Sequence, residues 1–186
     1  DGFLAPLRQK NVDFTQIAPV VLGYGGAARA VVVGLVQLGC PEIHVVGRDS
    51  DELDYFYQSW SDSSVKQPLN CHLWHKLPEL VPQTQLLVNA TPVGMSPNVG
   101  ESPVAETIMT QLRENTLVYD LIYTPNPTQL LKLAQRQGAI IIDGLEMLVR
   151  QGALGLGIWV EQEISEEIIG IMRQALWQHL ELGKNE

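Results

Sequence analysis

A doubly wound α/β fold, with a mostly parallel sheet covered by helices on both faces, is predicted by three features of this 186-residue sequence. Short apolar runs recur along it: Val20-Val21-Leu22, Ile43-His44-Val45-Val46, Leu86-Leu87-Val88, Leu117-Val118-Tyr119 and Ile140-Ile141-Ile142. Between them lie stretches whose apolar residues repeat at helical spacing. The first run ends in Gly23-Tyr24-Gly25-Gly26, a glycine-rich turn that opens into a helix-forming stretch. Continuous apolar strands alternating with helices mark parallel sheets, because each crossover lays a helix on one face.

The chain opens with a helix over 1–10, with Asp1 as its cap, Leu4 and Leu7 on one face and Pro6 in the first turn. A polar connector, 11–19, leads to the first strand. The helix over 27–38 stops at Gly39, and Pro41 forbids its continuation. The second strand ends at Gly47-Arg48. Asp51 and Glu52 favour the positive end of a helix over 50–60, on which Leu53, Phe56, Tyr57 and Trp60 follow at helical spacing. Residues 61–68 read as a polar turn and 71–74 as a third strand. The run at 86–88 leads into Asn89-Ala90-Thr91-Pro92, and 95–103, with two prolines and Gly100, reads as an exposed loop.

Buried strands are expected at 117–120 and 139–143. Between them Thr128 caps a helix carrying Leu130, Leu131, Leu133 and Ala134, which stops at Gly138. Beyond Gly144 the pattern is helical only. One segment runs through Met147, Leu148 and Gln151. A second, over 165–182, carries Ile168, Ile169, Met172, Leu176 and Leu180 as its apolar stripe. Trp159 and Trp177 fall within these patterns as core or inter-domain contacts. The domain organisation expected is an inter-domain helix and connector (1–19), a nucleotide-binding domain (20–160) and a C-terminal helix (161–186).

The glycine corner carries the first functional signal. Strand, G-x-G-x-x-A turn and helix form the phosphate-binding corner of a dinucleotide domain, which makes the fold Rossmann-like. Gly23 permits the sharp turn, Gly25 lets the backbone approach a pyrophosphate, and Ala28 keeps the helix tight on its strand. The unpaired N–H groups of the first helical turn, among them those of Gly26 and Ala27, face the phosphates. An arginine, Arg48, follows the second strand at about the distance where such domains read the adenosine ribose.

Composition narrows the choices. Hydrophobic residues make up 45% and charged residues 18%, as in globular chains. The net charge of −9 argues against nucleic acid as partner, since phosphate backbones need a basic surface. No apolar run approaches the ~20 residues of a membrane span. Cys40 and Cys71 form no close pair and read as reduced, buried thiols of a cytoplasmic protein. His44, His72, His75 and His179 share no metal-ligand spacing, so no metal is expected. The start, Asp1-Gly2-Phe3-Leu4, lacks a signal peptide's basic and apolar regions and reads as the interior of a longer chain.

Several motifs in order resemble the NADP-binding half of shikimate dehydrogenase. Asp1-Gly2 resembles the end of that family's Asn-Thr-Asp-Gly motif, and residues 23–30 its phosphate loop. Asn89-Ala90-Thr91-Pro92-Val93-Gly94-Met95 is similar to its nicotinamide-side loop. Tyr119-Asp120-Leu121-Ile122-Tyr123, with Pro125 and Thr128, is similar to a fourth motif, and residues 144–151 to a fifth. The resemblance implies two α/β domains flanking a cleft, with an N-terminal substrate domain missing from this chain and the C-terminal helices packing toward it. It implies NADP as cofactor and reversible oxidation of shikimate to 3-dehydroshikimate, a step toward chorismate and the aromatic amino acids.

By the same resemblance Asp1 is the catalytic aspartate, paired with a lysine of the missing half about the substrate hydroxyl. Alcohol oxidation releases a proton as hydride leaves, so such a pair suits the chemistry. Tyr123 and Gln151 reach the substrate. Gly23, Tyr24, Gly25, Gly26, Ala27, Arg48, Asn89, Thr91, Leu121 and Gly144 are the cofactor positions. Gly47-Arg48 favours the 2′-phosphate of NADP over the bare diol of NAD. Asp49 and Glu52 depart from the family pattern and oppose that phosphate unless they turn to solvent or pair with Arg48. Three alternatives stay open: an NAD-dependent quinate/shikimate dehydrogenase, a nucleotide-binding module without turnover, and an interaction domain with a vestigial glycine loop. The sequence also leaves open whether the protein forms a homodimer.

Overall fold

The computed structural model describes residues 2–61 and 69–182. The chain divides into two compact units, Val12–Asp143 and Asp1–Asn11 with Gly144–Glu186. The Val12–Asp143 unit holds a six-stranded, wholly parallel sheet. Its strands are β1 (Val20–Leu22), β2 (Ile43–Gly47), β3 (Leu69–Leu73), β4 (Leu86–Asn89), β5 (Leu117–Asp120) and β6 (Ile140–Ile142), in the order β3-β2-β1-β4-β5-β6. That order reverses direction between β1 and β4, and in open α/β sheets the crevice at such a reversal is where ligands lie.

Helices α2 (Gly26–Gln37) and α3 (Ser50–Gln58) follow β1 and β2. Two short helices come next, α4 (Leu77–Leu80) and α5 (Glu106–Met109), before α6 (Gln129–Arg136) joins β5 to β6. Successive strand residues point to opposite faces. Val20, Leu22, Val46, Leu87 and Val118 pack with Leu77, Met109, Leu112, Leu130, Leu131 and Ala134 into one core on the α4–α6 face. Val21, Val45 and Val88 alternate with them and are fully buried, as are Ala28, Val32 and Leu35 of α2. The sheet is thus covered on both faces, as the apolar runs predict.

Caps fix the helix limits. The Thr128 side chain accepts from Leu131 N at 3.3 Å, and Gly39 and Gly138, at φ +82° and +73°, end their helices in the left-handed region. Four sequence readings change. The expected connector contains a 3-10 turn, Phe14–Gln16, capped by Asp13, whose carboxylate accepts from Thr15 N. The third strand begins two residues early, at Leu69, and α4 and α5 are too short to leave a periodic signal. Strand β6 is an edge rather than a buried strand, with Ile140 39% exposed. The polar turn expected at 61–68 lies, after Ser61, outside the described residues.

The other unit contains α1 (Leu4–Arg8), α7 (Leu145–Val160) and α8 (Glu166–Leu182). Helix α1 is shorter than predicted, and Phe3 stands at its N-cap with no side-chain bond. Asp1, the expected cap, is outside the described residues. Helix α7 runs four turns to a left-handed Glu161, φ +53°. It packs on α8 through Val149, Ala153 and Ile169, with Met172 and Leu176 against them. Trp159 and Trp177 are 84% and 44% exposed, so of the expected core or inter-domain roles the core one falls. Among the described residues, no helix is long and apolar enough to cross a membrane.

Candidate functional site

The glycine corner folds as its residue types require. Gly23 has φ +100°, and a Cβ there would stand 3.1 Å from Thr91 Cγ2. Only glycine meets both conditions cheaply. Its N–H donates to Val46 O at 2.8 Å, which holds the turn against β2. Ala28 is fully buried, so the helix seats on the sheet without a gap. Gly25 and Gly26 differ in kind, because a Cβ at either would meet nothing within 4 Å. Crowding by protein therefore does not explain these two glycines. They face open space at the start of α2, where Gly25 provides no side-chain cap and the first N–H groups of the helix stay available to an anion.

That space is a cleft of about 420 Å³ at the carboxyl ends of β1, β2 and β4. Gly23, Tyr24, Gly25, Arg48 and Thr91, all cofactor positions expected from the sequence, line it. The sequence places Gly47 at the site only as the neighbour of Arg48, and does not single out Trp74 or the wall formed by Glu101, Ser102 and Pro103. Gly47 carries a signal in hindsight. A Cβ on it would lie 2.4 Å from Tyr24 Cδ1 and 2.8 Å from Leu53 Cδ2, so the Tyr24 ring rests directly on the end of β2.

Arg48 is exposed beside the ring, with no hydrogen bond or ion pair among the described residues. Its acidic neighbour is turned elsewhere. The Asp49 carboxylate caps α3, accepting from Asp51 N at 2.9 Å and Glu52 N at 3.1 Å. Its charge is directed onto the helix terminus, which favours it. Glu52 is exposed to solvent. Arg29, by contrast, serves packing: its guanidinium lies over the Phe56 ring at 4.8 Å and donates to Ser59 Oγ.

Behind the cleft, Asn89 at the end of β4 is completely buried. Its Oδ1 accepts from Thr91 N at 3.0 Å and Thr91 Oγ1 at 2.7 Å, and its Nδ2 donates to Asp120 Oδ1 at 2.9 Å. Both ends of the amide are thus taken, and Asn89 shapes the 89–93 loop from below instead of presenting itself to a ligand. Asp120, also fully buried, accepts in addition from Ile122 N at 3.1 Å and Thr128 Oγ1 at 2.7 Å. Burial pushes its carboxyl up to about 6, against the pull of those three donors. Leu121 N donates to Asn89 O at 3.1 Å, and Tyr123 follows, 37% exposed.

In the other unit, Gly144 is buried at the N-cap of α7 with ordinary helical angles, φ −79° and ψ −2°, so no strain demands a glycine there. Gln151 is exposed on the same helix. A Cβ on Gly2 would stand 2.9 Å from Met147 O and 3.5 Å from Gln151 N, so the residue following Asp1 lies against the turn that carries Gln151. A second cavity, about 470 Å³ and lined largely by α7 and the start of α8, includes none of the described predicted positions. Both cysteines are free, and burial raises each thiol to about 11. Among the described residues no group of three His, Cys, Asp or Glu side chains could hold a metal ion.

No family model matches the chain. It is 56% identical over 181 residues to the shikimate dehydrogenase (NADP(+)) of Gloeothece citriformis, covering 97% of this chain and 62% of that protein. Among solved structures, the chorismate mutase/shikimate 5-dehydrogenase fusion protein of Clostridium acetobutylicum superposes with a TM-score of 0.80 at 32% identity, over 97% of this chain and 61% of the other. A shikimate dehydrogenase solved in complex with NADP+ gives 0.79 at 29% identity, over 96% and 60%. The chain therefore spans about three fifths of the length of the proteins it matches. In sequence and in fold the chain is similar to these shikimate dehydrogenases over nearly its whole length.

Proposed function

We propose that this chain is the NADP-binding part of a shikimate dehydrogenase, a cytoplasmic enzyme that reversibly oxidises shikimate to 3-dehydroshikimate on the route to chorismate and the aromatic amino acids. One observation carries the reading. The open glycine corner at the start of α2 and Arg48, which has no ion pair among the described residues, line the same cleft. The two side-chain-free positions form a cradle for a diphosphate, and the guanidinium beside it matches a 2′-phosphate.

NADP, when bound, supplies the acceptor for hydride. In this reading the backbone N–H groups of Gly25, Gly26 and Ala27 hold the diphosphate, while Tyr24 and Arg48 take the adenosine side. Thr91, held in place by Asn89, bounds the cleft opposite. Leu121 and Gly144 offer backbone beside the nicotinamide. Tyr123 and Gln151 bind the substrate's carboxylate and hydroxyls. Asp1 holds the proton released from the reacting hydroxyl, together with a lysine drawn from the remaining length of such a protein.

Calorimetric titration of the chain with NADP and NAD tests the cofactor half of the reading, with NADP expected to bind more tightly. The chain alone is expected to show no turnover. A protein of the relatives' length carrying this sequence is expected to oxidise shikimate with NADP in preference to NAD, and shikimate in preference to quinate. A hundredfold preference for NAD would overturn the role given to Arg48, and quinate as the better substrate would favour the quinate/shikimate alternative.

A further inference from the structure

We infer that Trp74 is the surface on which the adenine ring of the dinucleotide stacks, so that the chain recognises the base by an aromatic face set beside Arg48. The inference rests on the NADP reading above and adds a residue that it does not contain. Strands β2 and β3 pair with Gly47 opposite Leu73. The next residue on each strand, Arg48 and Trp74, therefore leaves neighbouring strand ends side by side, and both line the cleft.

The covalent geometry of an adenosine 2′-phosphate does the rest. Phosphate and base are carried on adjacent carbons of one ribose, so a guanidinium holding the phosphate leaves the base within one sugar's width. Trp74 occupies that neighbourhood. It is half-buried, packs against the hydrophobic core and also lines the cleft. The 3-10 turn Trp74–Lys76 begins there and runs directly into α4, so the backbone that carries the indole is fixed between β3 and a helix. A flat, anchored indole orders few torsions on binding, and every purine presents a π face to it. Tyr24, the other aromatic lining residue, lays its ring on Gly47 and bounds the adenosine side next to Arg48.

Titration of wild-type, Trp74→Ala and Trp74→Phe chains with NADP, with 2′,5′-ADP (the adenosine half alone) and with nicotinamide mononucleotide tests this. Trp74→Ala is expected to weaken NADP and 2′,5′-ADP by a common factor of roughly ten to a hundred, and to leave the mononucleotide unchanged. Trp74→Phe keeps an aromatic face and is expected to stay within a few-fold of wild type. Of the four tryptophans, Trp74 is expected to report the base, so 2′,5′-ADP quenches emission in the wild type and not in Trp74→Phe. Equal quenching in Trp74→Phe, or unchanged affinity for 2′,5′-ADP in Trp74→Ala, overturns the stacking role and leaves the cofactor reading standing. A wild-type chain that binds neither NADP nor 2′,5′-ADP sinks both.

Discussion

Asn89 donates its amide hydrogen to the Asp120 carboxylate at 2.9 Å, joining the ends of two adjacent parallel strands beneath the cleft. Asp120 also receives Ile122 N and Thr128 Oγ1, so one buried carboxylate ties together the loop after β4, the loop after β5 and the cap of α6. Its carboxyl sits at about 6 against an ordinary 3.8, because burial outweighs the three donors. The folded state therefore holds this proton more tightly than the unfolded chain does. The sign follows by linkage: the contribution to stability is complete below the unfolded value and is lost as pH rises through about 6.

Asp120→Asn removes that titration while keeping two acceptor bonds on the amide oxygen. The stability difference between wild type and Asp120→Asn is expected to move by about 3 kcal/mol between pH 3.5 and 7, wild type losing ground as pH rises. Urea unfolding of both proteins at the two pH values measures it. Parallel pH profiles would mean that burial does not raise the Asp120 carboxyl above its unfolded value.

At Gly47 the prediction is steric. A methyl group there would overlap the Tyr24 ring, with Cβ–Cδ1 at 2.4 Å. Either the ring swings into the cleft or the end of β2 yields, and overpacking of this kind costs about 1–3 kcal/mol. Gly47→Ala is expected to lower the melting temperature and weaken NADP binding. Adding Tyr24→Ala is expected to restore most of the stability, because the double variant has no ring to displace. Thermal melts of the two single variants and the double variant decide it, and strictly additive losses would break the link between the residues.

Arg48→Gln is expected to weaken NADP by roughly ten- to a hundredfold, the scale of a charge-assisted hydrogen bond, and to leave NAD almost unchanged. The wild-type preference should also fade as salt is raised. Asp49 supplies the control. Its carboxylate is bonded to the start of α3, so Asp49→Ala is expected to cost about 1 kcal/mol of stability and leave the NADP affinity within a few-fold of wild type. A large gain in NADP affinity would mean that Asp49 opposes the phosphate after all.

The sheet and the glycine corner were legible because each rests on local chemistry. Apolar runs such as Val20-Val21-Leu22 can be satisfied only in a covered sheet, and Gly23 sits where φ +100° admits little else. The turn of Asp49 away from the cleft was not legible. Charge counting set it against a phosphate, whereas the backbone N–H groups of its own helix satisfy it first. The motif assigns Asn89 to the cofactor, and only the structure shows its buried amide directed to Thr91 and Asp120. Trp74 gains meaning only from the β2–β3 register, which joins residues 26 apart and leaves no periodicity in the sequence, and Gly47 only from the Tyr24 ring laid against it. Trp159 and Trp177 lose only the core half of their expectation of core or inter-domain contacts: helical spacing assigns a residue to a face, and says nothing of whether an element of the same chain covers it.

Glu146 gives a prediction of opposite sign to Asp120. Its carboxylate accepts from Arg150 Nε at 2.8 Å and from Arg173 Nε and Nη2 at 2.6 and 2.7 Å, which ties α7 to α8. The hydrogen bonds from Arg173 hold its carboxyl below the ordinary 4.5, with Arg150 adding to them against burial. Its stabilising contribution is therefore present above 4.5 and is lost as pH falls through the lowered folded value. Glu146→Gln leaves Arg150 its pair with Glu166 and deprives Arg173 of its charged partner. With the Glu146 side chain only 20% exposed, the expected loss is about 1–3 kcal/mol at neutral pH, shrinking as pH falls through the lowered folded value. Urea unfolding at pH 7 and pH 3.5 checks both the size and the direction. A loss that persists undiminished in acid would assign Glu146 a packing role instead of an ionic one.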